Sequence, residues 1–397
     1  MRDGRSRRPH ASIYMLKARK LKPDVRPQVL LALEWYVPEF HCGVAQYAQE
    51  HNWTLHDSLA YNRQKPPEKL HYDGIITLLT QTSQSMTRQL ITGAKVPVVD
   101  LNDDCPDIQL PRVLADNEMI GRLAAEHLIS RGFRHLVYYQ TSDSAGALDR
   151  RAGFRRAVKA AGREFILLSA VRAFRDKDSL QHRLAWLARK LVKLPRPFGI
   201  MGQFDVTANE LCMACGRAGL PVPEEVAIVG VDNISTCAEF GEIPLTSVDS
   251  NLHGRGYQGA ALLDRLIRGE KAPAEPVRVP SNGLVARRST DILMIENPVV
   301  AAALRHINAH FRENLKAESI ARAAGVSLRS LYRLFQEHLG RSVAEEIERL
   351  RLTCARQMIA GTDLKISAIA RDAGFVSSES MTAAFLKHYG KRPSECR

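Results

Sequence analysis

Side chains that can form strong hydrogen bonds follow several apolar segments in the first two thirds of the chain. Asp232 comes directly after the apolar run Val226–Val231, and Arg150 lies in the segment that follows another such run. A carboxylate can accept hydrogen bonds from two adjacent hydroxyl groups, and an arginine can donate two parallel ones. The ring of Trp35 offers an apolar face to C–H groups. These groups suit a small polyhydroxylated molecule, and Asp232 is the residue that we single out.

The candidate ligand residues share one feature, which is that they follow predicted strands. The carboxyl ends of strands are where open α/β sheets bind ligands. The set comprises Glu34, Trp35, Asp116, Asn117, Arg150, Gln203, Asp205, Asp232 and Asn233. Asp116 and Asn117 could instead cap the helix that follows them, and Trp35 could be a core residue. Arg150 and Arg151 occupy adjacent helical positions, so only one of them can face a pocket.

Strands and helices alternate from about residue 27 to residue 290. The apolar runs that fit strands are Val29–Leu33, Gly74–Leu79, Val96–Asp100, Val113–Ala115, Leu136–Tyr139, Phe165–Leu168, Phe198–Met201, Val226–Val231 and Leu245–Val248. Helical segments lie between them, including Cys42–His51, Ser85–Gly93, Asn117–Ser130 and Asp149–Ala161. This alternation predicts parallel sheets that are covered by helices on both faces. The length of the region predicts two such lobes with a cleft between them.

The last hundred residues contain one short pattern twice, once at Ile320–Ser327 and again at Ile369–Ser377. In each copy a glycine follows a helix with small residues, and a serine precedes a second helix. Glycine adopts the positive φ of a tight turn at little cost, and serine caps a helix. Gly325 and Gly374 are 49 positions apart, whereas the phenylalanines of the second helices are 50 apart. Each copy therefore predicts a helix-turn-helix unit, and the second has one extra residue after its turn.

Two such units in a chain of net charge +13 predict DNA binding. Ser327 is placed to cap the second helix of the first unit. Arg329 and Arg333 are four residues apart on that helix, so they share a face opposite the apolar Leu331 and Phe335. Exposed arginines of this kind can be solvated, can hold phosphates or can contact base edges in the major groove.

The segment from Asn297 to Arg397 resembles the DNA-binding domain of the AraC family of transcription regulators along its whole length. The similarity includes the Gly340-Arg341-Ser342 turn, a linker helix from Ile347 to Ile359, and the closing Gly390-Lys391-Arg392-Pro393. It implies that the linker helix holds the two second helices in successive major grooves on one face of DNA. Such grooves recur at about 34 Å, which agrees with two rigidly joined units.

The same resemblance implies which positions face the groove. In the first unit they are Arg329, Tyr332 and Arg333, and in the second they are Ser378, Glu379, Thr382 and Ala383. An arginine is usual where Ala383 stands, so we expect weaker base reading by the second unit. Glu379 offers an acceptor that could contact cytosine.

Three motifs in the earlier region resemble the effector domain of lactose-repressor-type regulators. They are Leu114–Phe133, Arg150–Gly162 and Val222–Asn233 with the Pro244–Val248 segment that follows. The resemblance implies a two-lobed, periplasmic-binding-protein-like fold that binds a small sugar, xylose or a similar aldose. It also implies a homodimer. Those regulators carry a helix-turn-helix unit at the N-terminus, and residues 1–26 of this chain cannot form one.

No catalytic constellation is apparent in the sequence. Phosphate loops of the G-x-x-x-x-G-K type, G-x-S-x-G elbows and H-E-x-x-H zinc pairs are all missing. We therefore expect no enzyme activity, no cofactor and no metal site. A sugar-processing enzyme fused to a DNA reader is the alternative from another class, and a regulator of a non-sugar metabolite is the second. Turnover of a pentose tests the first alternative, and ligand screening tests the second.

The sequence thus predicts an α/β two-lobed periplasmic-binding-protein-like domain with parallel sheets, followed by an all-α domain with two helix-turn-helix units. The boundaries are a basic tail at 1–26, a sugar-binding effector domain at 27–290 and a DNA-binding domain at 291–397, with units at about 318–338 and 366–389. No apolar run reaches the length of a membrane span, so we expect a cytoplasmic protein without a membrane partner. The predicted function is sugar-controlled transcription regulation, as an activator. The predicted partners are double-stranded DNA, a sugar, a second copy and RNA polymerase.

Overall fold

A computed structural model describes residues 26–62, 71–80, 86–171, 173–174, 179–292, 297–361 and 364–396. The predicted basic tail lies outside these ranges except for Arg26. The strands in these ranges are β1 Gln28–Leu33, β2 Thr54–His56, β3 Gly74–Leu78, β4 Val98–Asp100, β5 Val113–Ala115, β6 His135–Gln140, β7 Glu164–Ser169, β8 Phe198–Gly202, β9 Val226–Val231, β10 Thr246–Asp249, β11 Val277–Val279 and β12 Gly283–Val285. The α-helices are α1 Pro38–Glu50, α2 Ser58–Asn62, α3 Met86–Thr92, α4 Asn117–Ser130, α5 Ala145–Ala160, α6 Leu180–Leu191, α7 Asp205–Ala218, α8 Ser235–Ala238, α9 Leu252–Ile267, α10 Pro298–His310, α11 Ala317–Ala323, α12 Leu328–Leu339, α13 Val343–Gly361, α14 Ile366–Asp372 and α15 Ser378–Tyr389.

The first lobe is built on a parallel sheet with the strand order β2-β1-β3-β4. A bridge between Asp100 and Arg112 brings β5 beside β4, and β5 pairs in parallel with β11. Central strand β1 is almost continuously apolar because helices cover both of its faces. Helices α1 and α9 pack on one face, and residues of α2 and α3 pack on the other.

The second lobe has a six-stranded sheet with the order β12-β10-β9-β8-β6-β7. Its strands pair in parallel except for β12, which pairs antiparallel to β10. The chain reaches β12 from β11 of the first lobe through a short segment. Because no crossover helix turns the chain around, β12 runs antiparallel to β10. Helices α4 and α5 cover one face of the sheet, and α6 and α7 cover the other.

The chain passes between the lobes three times, after β5, after β10 and between β11 and β12. These connections lie side by side, since Asp116 N donates to Val279 O at 3.0 Å and Asn282 N donates to Asp249 O at 3.1 Å. Short parallel connections between two packed lobes are the arrangement that permits hinge closure over a ligand. They place the carboxyl ends of the strands in both lobes around one cleft.

The C-terminal domain consists of two helical units that share one long helix. Val343, Ile347 and Leu350 on α13 pack in the core of α10–α12, whereas Leu352 and Ile359 pack in the core of α14 and α15. We call α13 the linker helix. Its 19 residues span roughly 28 Å at 1.5 Å per residue. Both units are thus attached to opposite halves of one rigid rod.

The fold class predicted from the sequence is confirmed, and β5, β9 and α4 have the predicted bounds. Helix α5 begins at Ala145 instead of Asp149 because Ser144 caps it by accepting from Ala147 N. The antiparallel strand β12 at the edge of the second sheet was not predicted. Strands β2, β11 and β12 are only three residues long, too short for a period to be visible in the sequence. In the described ranges, none of the helices is long and apolar enough to cross a membrane.

Candidate functional site

A cavity of about 160 Å³ lies in the cleft between the two lobes. Cavities of about 150 Å³ hold a six-carbon ring, so the space suits a small molecule. The polar and aromatic residues that line it are Trp35, Phe40, Thr80, Asn102, Asp103, Asp104, Asn117, Ser144, Arg150, Phe204, Asp232 and Arg255. Four of the predicted ligand residues are therefore brought together there, namely Trp35, Asn117, Arg150 and Asp232. Trp35 is 44% exposed, which excludes the alternative of a core tryptophan.

Arg150 is held in the cavity wall by the close crossing of α4 and α5. Side chains at Gly121 and Gly153 would collide with backbone of the opposite helix, because their added Cβ atoms would lie 2.0 and 2.1 Å from carbonyl oxygens. This contact brings Asn117 Oδ1 within 3.1 Å of Arg150 Nε and 2.7 Å of its Nη2. The guanidinium also donates to the carbonyl of Gln203. Arg150 is therefore fixed before any ligand arrives.

Asp232 lies where β9 ends, beside the connections between the lobes. Its φ of 98° is in the left-handed region, which is costly for a residue with a side chain. The backbone is held there because Asp232 N donates to Val248 O at 2.9 Å. One carboxylate oxygen accepts a hydrogen bond of 2.6 Å from the hydroxyl of Ser250. The strained turn thus presents a buried carboxylate at both the cavity and the hinge.

Arg255 on α9 faces the cavity from the first lobe and was not predicted. It packs over the ring of Phe40 at 4.8 Å and donates to Leu101 O at 2.5 Å. Burial lowers its pKa to about 10. Its Nε atom is buried and makes no hydrogen bond within the described ranges. A buried donor without a partner is costly, and a ligand oxygen would satisfy it. The rule that selected the other candidates did not lead to this residue, because β10, the strand before α9, belongs to the opposite lobe.

Asp103 and Asp104 add two carboxylates from the first lobe. They follow β4, so the rule that selected the other candidates could have found them. Burial raises the pKa of Asp104, although hydrogen bonds from Asn102 and Ser144 oppose this effect. Ser144 belongs to the second lobe, so Asp104 connects the two walls of the cleft. The cavity therefore combines acceptors and donors from both lobes.

Gln203 and Asp205 follow β8 as predicted, but their side chains form hydrogen bonds with protein groups behind the cavity. Gln203 Oε1 accepts from Thr141 N at 2.7 Å and from Ser142 N at 3.0 Å. Asp205 accepts from the hydroxyl of Ser247 at 2.6 Å. Burial, followed by the charge of Asp232, raises the pKa of Asp205 to about 7. These two residues support the strand ends that carry the cavity residues.

The remaining predicted ligand residues hold turns around the cleft. Glu34 Oε2 accepts from Thr80 N at 2.6 Å, and Asp116 caps α4 by accepting from Met119 N at 3.0 Å. Asn233 Oδ1 accepts from Arg287 at 2.8 Å. The end of a strand fixes where a residue lies but not the direction of its side chain. This is why the sequence could not separate these residues from those that line the cavity.

The second helix of the first helix-turn-helix unit, α12, presents a basic face. Ser327 caps it as predicted by accepting from Ser330 N at 3.2 Å. Arg329 is exposed, and Tyr332 is 47% exposed. Arg333 is paired with Glu337 on the next turn at 2.9 Å. An exposed pair of this kind contributes little stability, so Arg333 can exchange Glu337 for another acceptor.

The corresponding helix of the second unit, α15, presents a different face. Glu379 and Ala383 stand where the first unit has Arg329 and Arg333. The carboxylate of Glu379 accepts from the hydroxyl of Ser378 at 3.1 Å. Hydrogen bonds at the N-terminus of the helix, from its own N–H and from Ser377, lower the pKa of Glu379. The two units therefore differ in charge at equivalent positions.

Comparison with known proteins finds a family match in each of the two regions of the chain. Residues 125–290 match the periplasmic binding protein-like domain family, and residues 320–397 match a helix-turn-helix domain family. The xylose operon regulatory protein of Escherichia coli (strain K12) is 27% identical over 334 residues, which cover 82% of this chain and 83% of that protein. The protein of the same name in Haemophilus influenzae is 24% identical over 89% of this chain and 93% of its own length.

Solved structures show the same architecture. A xylose-binding transcription activator superposes with a TM-score of 0.71 at 24% identity, covering 94% of this chain and 98% of that chain. A cellobiose complex of the transcriptional regulator CelR matches with a TM-score of 0.51 at 25% identity, covering 66% of this chain and 85% of that chain. The chain therefore contains a periplasmic-binding-protein-like domain followed by a helix-turn-helix domain, and it is similar over more than four fifths of its length to xylose operon regulatory proteins.

Proposed function

We propose that the chain is a transcription activator whose effector is a neutral aldose, xylose or a similar sugar. The observation that carries this proposal is the cavity between the lobes, where Asp232 and Arg150 of the second lobe face Arg255 of the first. Carboxylates that accept from adjacent hydroxyls and arginines that donate in pairs are the groups that sugars need. Trp35 adds an aromatic face for C–H groups.

The charge of the cavity supports a neutral ligand. Two arginines and three carboxylates line it, so neither sign dominates strongly. The orphaned Nε of Arg255 needs an oxygen acceptor, which a sugar hydroxyl or ring oxygen supplies. The xylose operon regulatory proteins of Escherichia coli and Haemophilus influenzae match 82% and 89% of the chain, and this supports a pentose.

The proposed mechanism is that the sugar closes the lobes and changes where the DNA-reading helices can lie. A ligand can shift such a balance only by binding one state more tightly than the other. The protein would act in the cytoplasm as a homodimer on operator DNA, and as an activator it would contact RNA polymerase. Sedimentation at working concentrations, with and without sugar and DNA, tests the dimer. Monomers under all these conditions would exclude a mechanism based on dimer geometry.

A thermal-shift screen of the full chain against pentoses and hexoses tests the effector. A sugar at a hundredfold its Kd stabilises the folded protein by about 2.7 kcal/mol. We expect xylose or a close aldose to give the largest shift and to change the affinity for operator DNA. If no sugar stabilises the protein but another metabolite does, the effector assignment is wrong. Turnover of the pentose by the purified protein would support the alternative of an enzyme.

A further inference from the structure

The extra residue in the second helix-turn-helix unit is Val376. In the first unit Val326 N donates to Ala321 O at 3.0 Å, and in the second Phe375 N donates to Ala370 O at 2.8 Å. Val326 and Phe375 are therefore equivalent, and each packs against the core of its own unit. The capping serine follows Val326 directly in the first unit. In the second unit Val376 is inserted before the cap.

This insertion places an exposed apolar side chain immediately before α15, the second helix of this unit. Val376 is 94% exposed and directly precedes Ser377, which caps α15. A single exposed valine on a protein surface is ordinary. The position is what distinguishes this one, because the N-terminal residues of a recognition helix are those that contact base edges.

The polar groups on the same helix end are bonded within the protein. The hydroxyl of Ser378 donates to Glu379, and the hydroxyl of Thr382 donates to Ser378 O at 2.8 Å. The carboxylate of Glu379 is held at the helix N-terminus by its own N–H and by hydrogen bonds from Ser377 and Ser378. Thr382 therefore contributes a methyl group without a free donor, and Ala383 contributes another. The front of α15 therefore places apolar groups of Val376, Thr382 and Ala383 beside the exposed carboxylate of Glu379.

We propose that the second unit reads DNA through apolar contact with thymine methyl groups, and that Val376 makes the principal contact. The thymine 5-methyl group is the apolar feature of the major-groove edge, and it distinguishes A·T from the other pairs. The inference rests on the proposed DNA-binding function and specifies how one half of the site is recognised. Such a contact would allow the second unit to prefer a particular DNA sequence even though it has Ala383 where the first unit has Arg333.

Thymine-to-uracil substitution tests this contact, because it removes only the methyl group. The full chain first selects its site from a randomised duplex, and each thymine of that site is then replaced singly by uracil. At one position in the half-site bound by the second unit, uracil should lower the affinity of the wild type about three- to fivefold. Burial of one methyl group contributes a binding free energy of about this size. Val376→Ser should bind the thymine and uracil duplexes equally. Val376→Thr, which keeps one methyl group and the branched shape, should retain part of the difference.

Val192→Ser is the matched control, because Val192 is an exposed valine at the end of α6 in the second lobe. It should show the wild-type response to uracil. If Val376→Ser keeps that response, or if no uracil in the second half-site weakens the wild type, the inference is wrong. If Val376→Ser binds DNA normally but loses activation, Val376 contacts a protein instead. Failure of the wild type to select any sequence would overturn the proposed function itself.

Discussion

Arg349 on the linker helix donates a hydrogen bond of 2.7 Å to the carboxylate of Asp291, at the end of the two-lobed domain. Arg349 also donates to the buried Glu346 at 2.9 Å. These neighbours raise the pKa of Arg349 even though burial opposes the charge. Asp291 directly follows Thr290, whose hydroxyl lies 2.7 Å from that of Thr246 on β10. The lobe that carries Asp232 is thus tied to the helix that holds both DNA-binding units.

This ion pair leads to a prediction about coupling between the two domains. Arg349→Met keeps the length of the side chain but removes the link to Asp291. We expect sugar affinity to stay unchanged and the effect of sugar on DNA affinity to fall, because the linker helix would no longer follow the lobe. Titrations of DNA with and without sugar measure this coupling.

Arg122→Met is the control, since it removes the exposed Arg122–Glu126 pair on α4. It should leave the coupling intact. If Arg349→Met shows the same ratio of DNA affinities with and without sugar as the wild type, the ion pair does not transmit the effect. Circular dichroism separates a loss of coupling from a loss of folding.

A second prediction concerns Asp232. Asp232→Ala removes an acceptor and leaves ligand hydroxyls and Ser250 unpaired, which costs roughly 1–3 kcal/mol. Sugar affinity measured by calorimetry should fall about tenfold or more, while DNA binding remains. Asp232→Asn is a second variant, because asparagine adopts the left-handed backbone conformation more readily than alanine. It therefore reduces the risk that a loss of affinity reflects misfolding. Glu270→Ala, at an exposed carboxylate, should bind sugar normally. Unchanged affinity in both Asp232 variants would remove this residue from the site.

The sequence predicts much of the architecture because the strands and the second helices of both helix-turn-helix units have clear patterns of apolar residues. Asp232 could be singled out because a continuous apolar strand precedes it. Gln203 and Asp205 follow strands equally well, yet their side chains turn toward Thr141 and Ser247. Arg255 reaches the cavity from a helix of the opposite lobe, so only the three-dimensional packing reveals it. Local pattern thus locates strand ends, whereas tertiary contacts decide which side chains reach the cavity.

A third prediction concerns pH. His127 lies 2.7 Å from the hydroxyl of Thr290, and burial, reinforced by the charge of Arg131, lowers its pKa to about 4. In the unfolded chain the pKa is about 6.5, so the unfolded state binds more protons between these values. Stability should be complete above pH 6.5 and should fall as the pH decreases toward 4, by at most about 1.4 kcal/mol per pH unit.

Denaturant titrations at pH 7 and pH 5 measure this dependence. His127→Gln retains a side chain that can bond Thr290 but does not titrate, so its stability should fall less over the same interval. His306→Gln, on α10 of the helix-turn-helix domain, is the control for a histidine with a different environment. An equal pH dependence in wild type and His127→Gln would show that other groups cause it.

The last prediction concerns base reading by the first unit. A bidentate arginine–guanine contact discriminates by about 1–3 kcal/mol per base pair. Arg329→Ala and Arg333→Ala should therefore relax sequence preference at one or two positions. We expect changes of similar size for the two residues, because the exposed Arg333–Glu337 pair contributes little stability and is easily exchanged. Ala383→Arg should raise affinity with little loss of specificity, since it adds a cation to a unit that has none at this position. Footprinting and titrations at fixed salt measure both effects, because phosphate contacts depend steeply on ionic strength. If both arginine variants weaken specific and random DNA equally, these arginines hold phosphates and do not read bases.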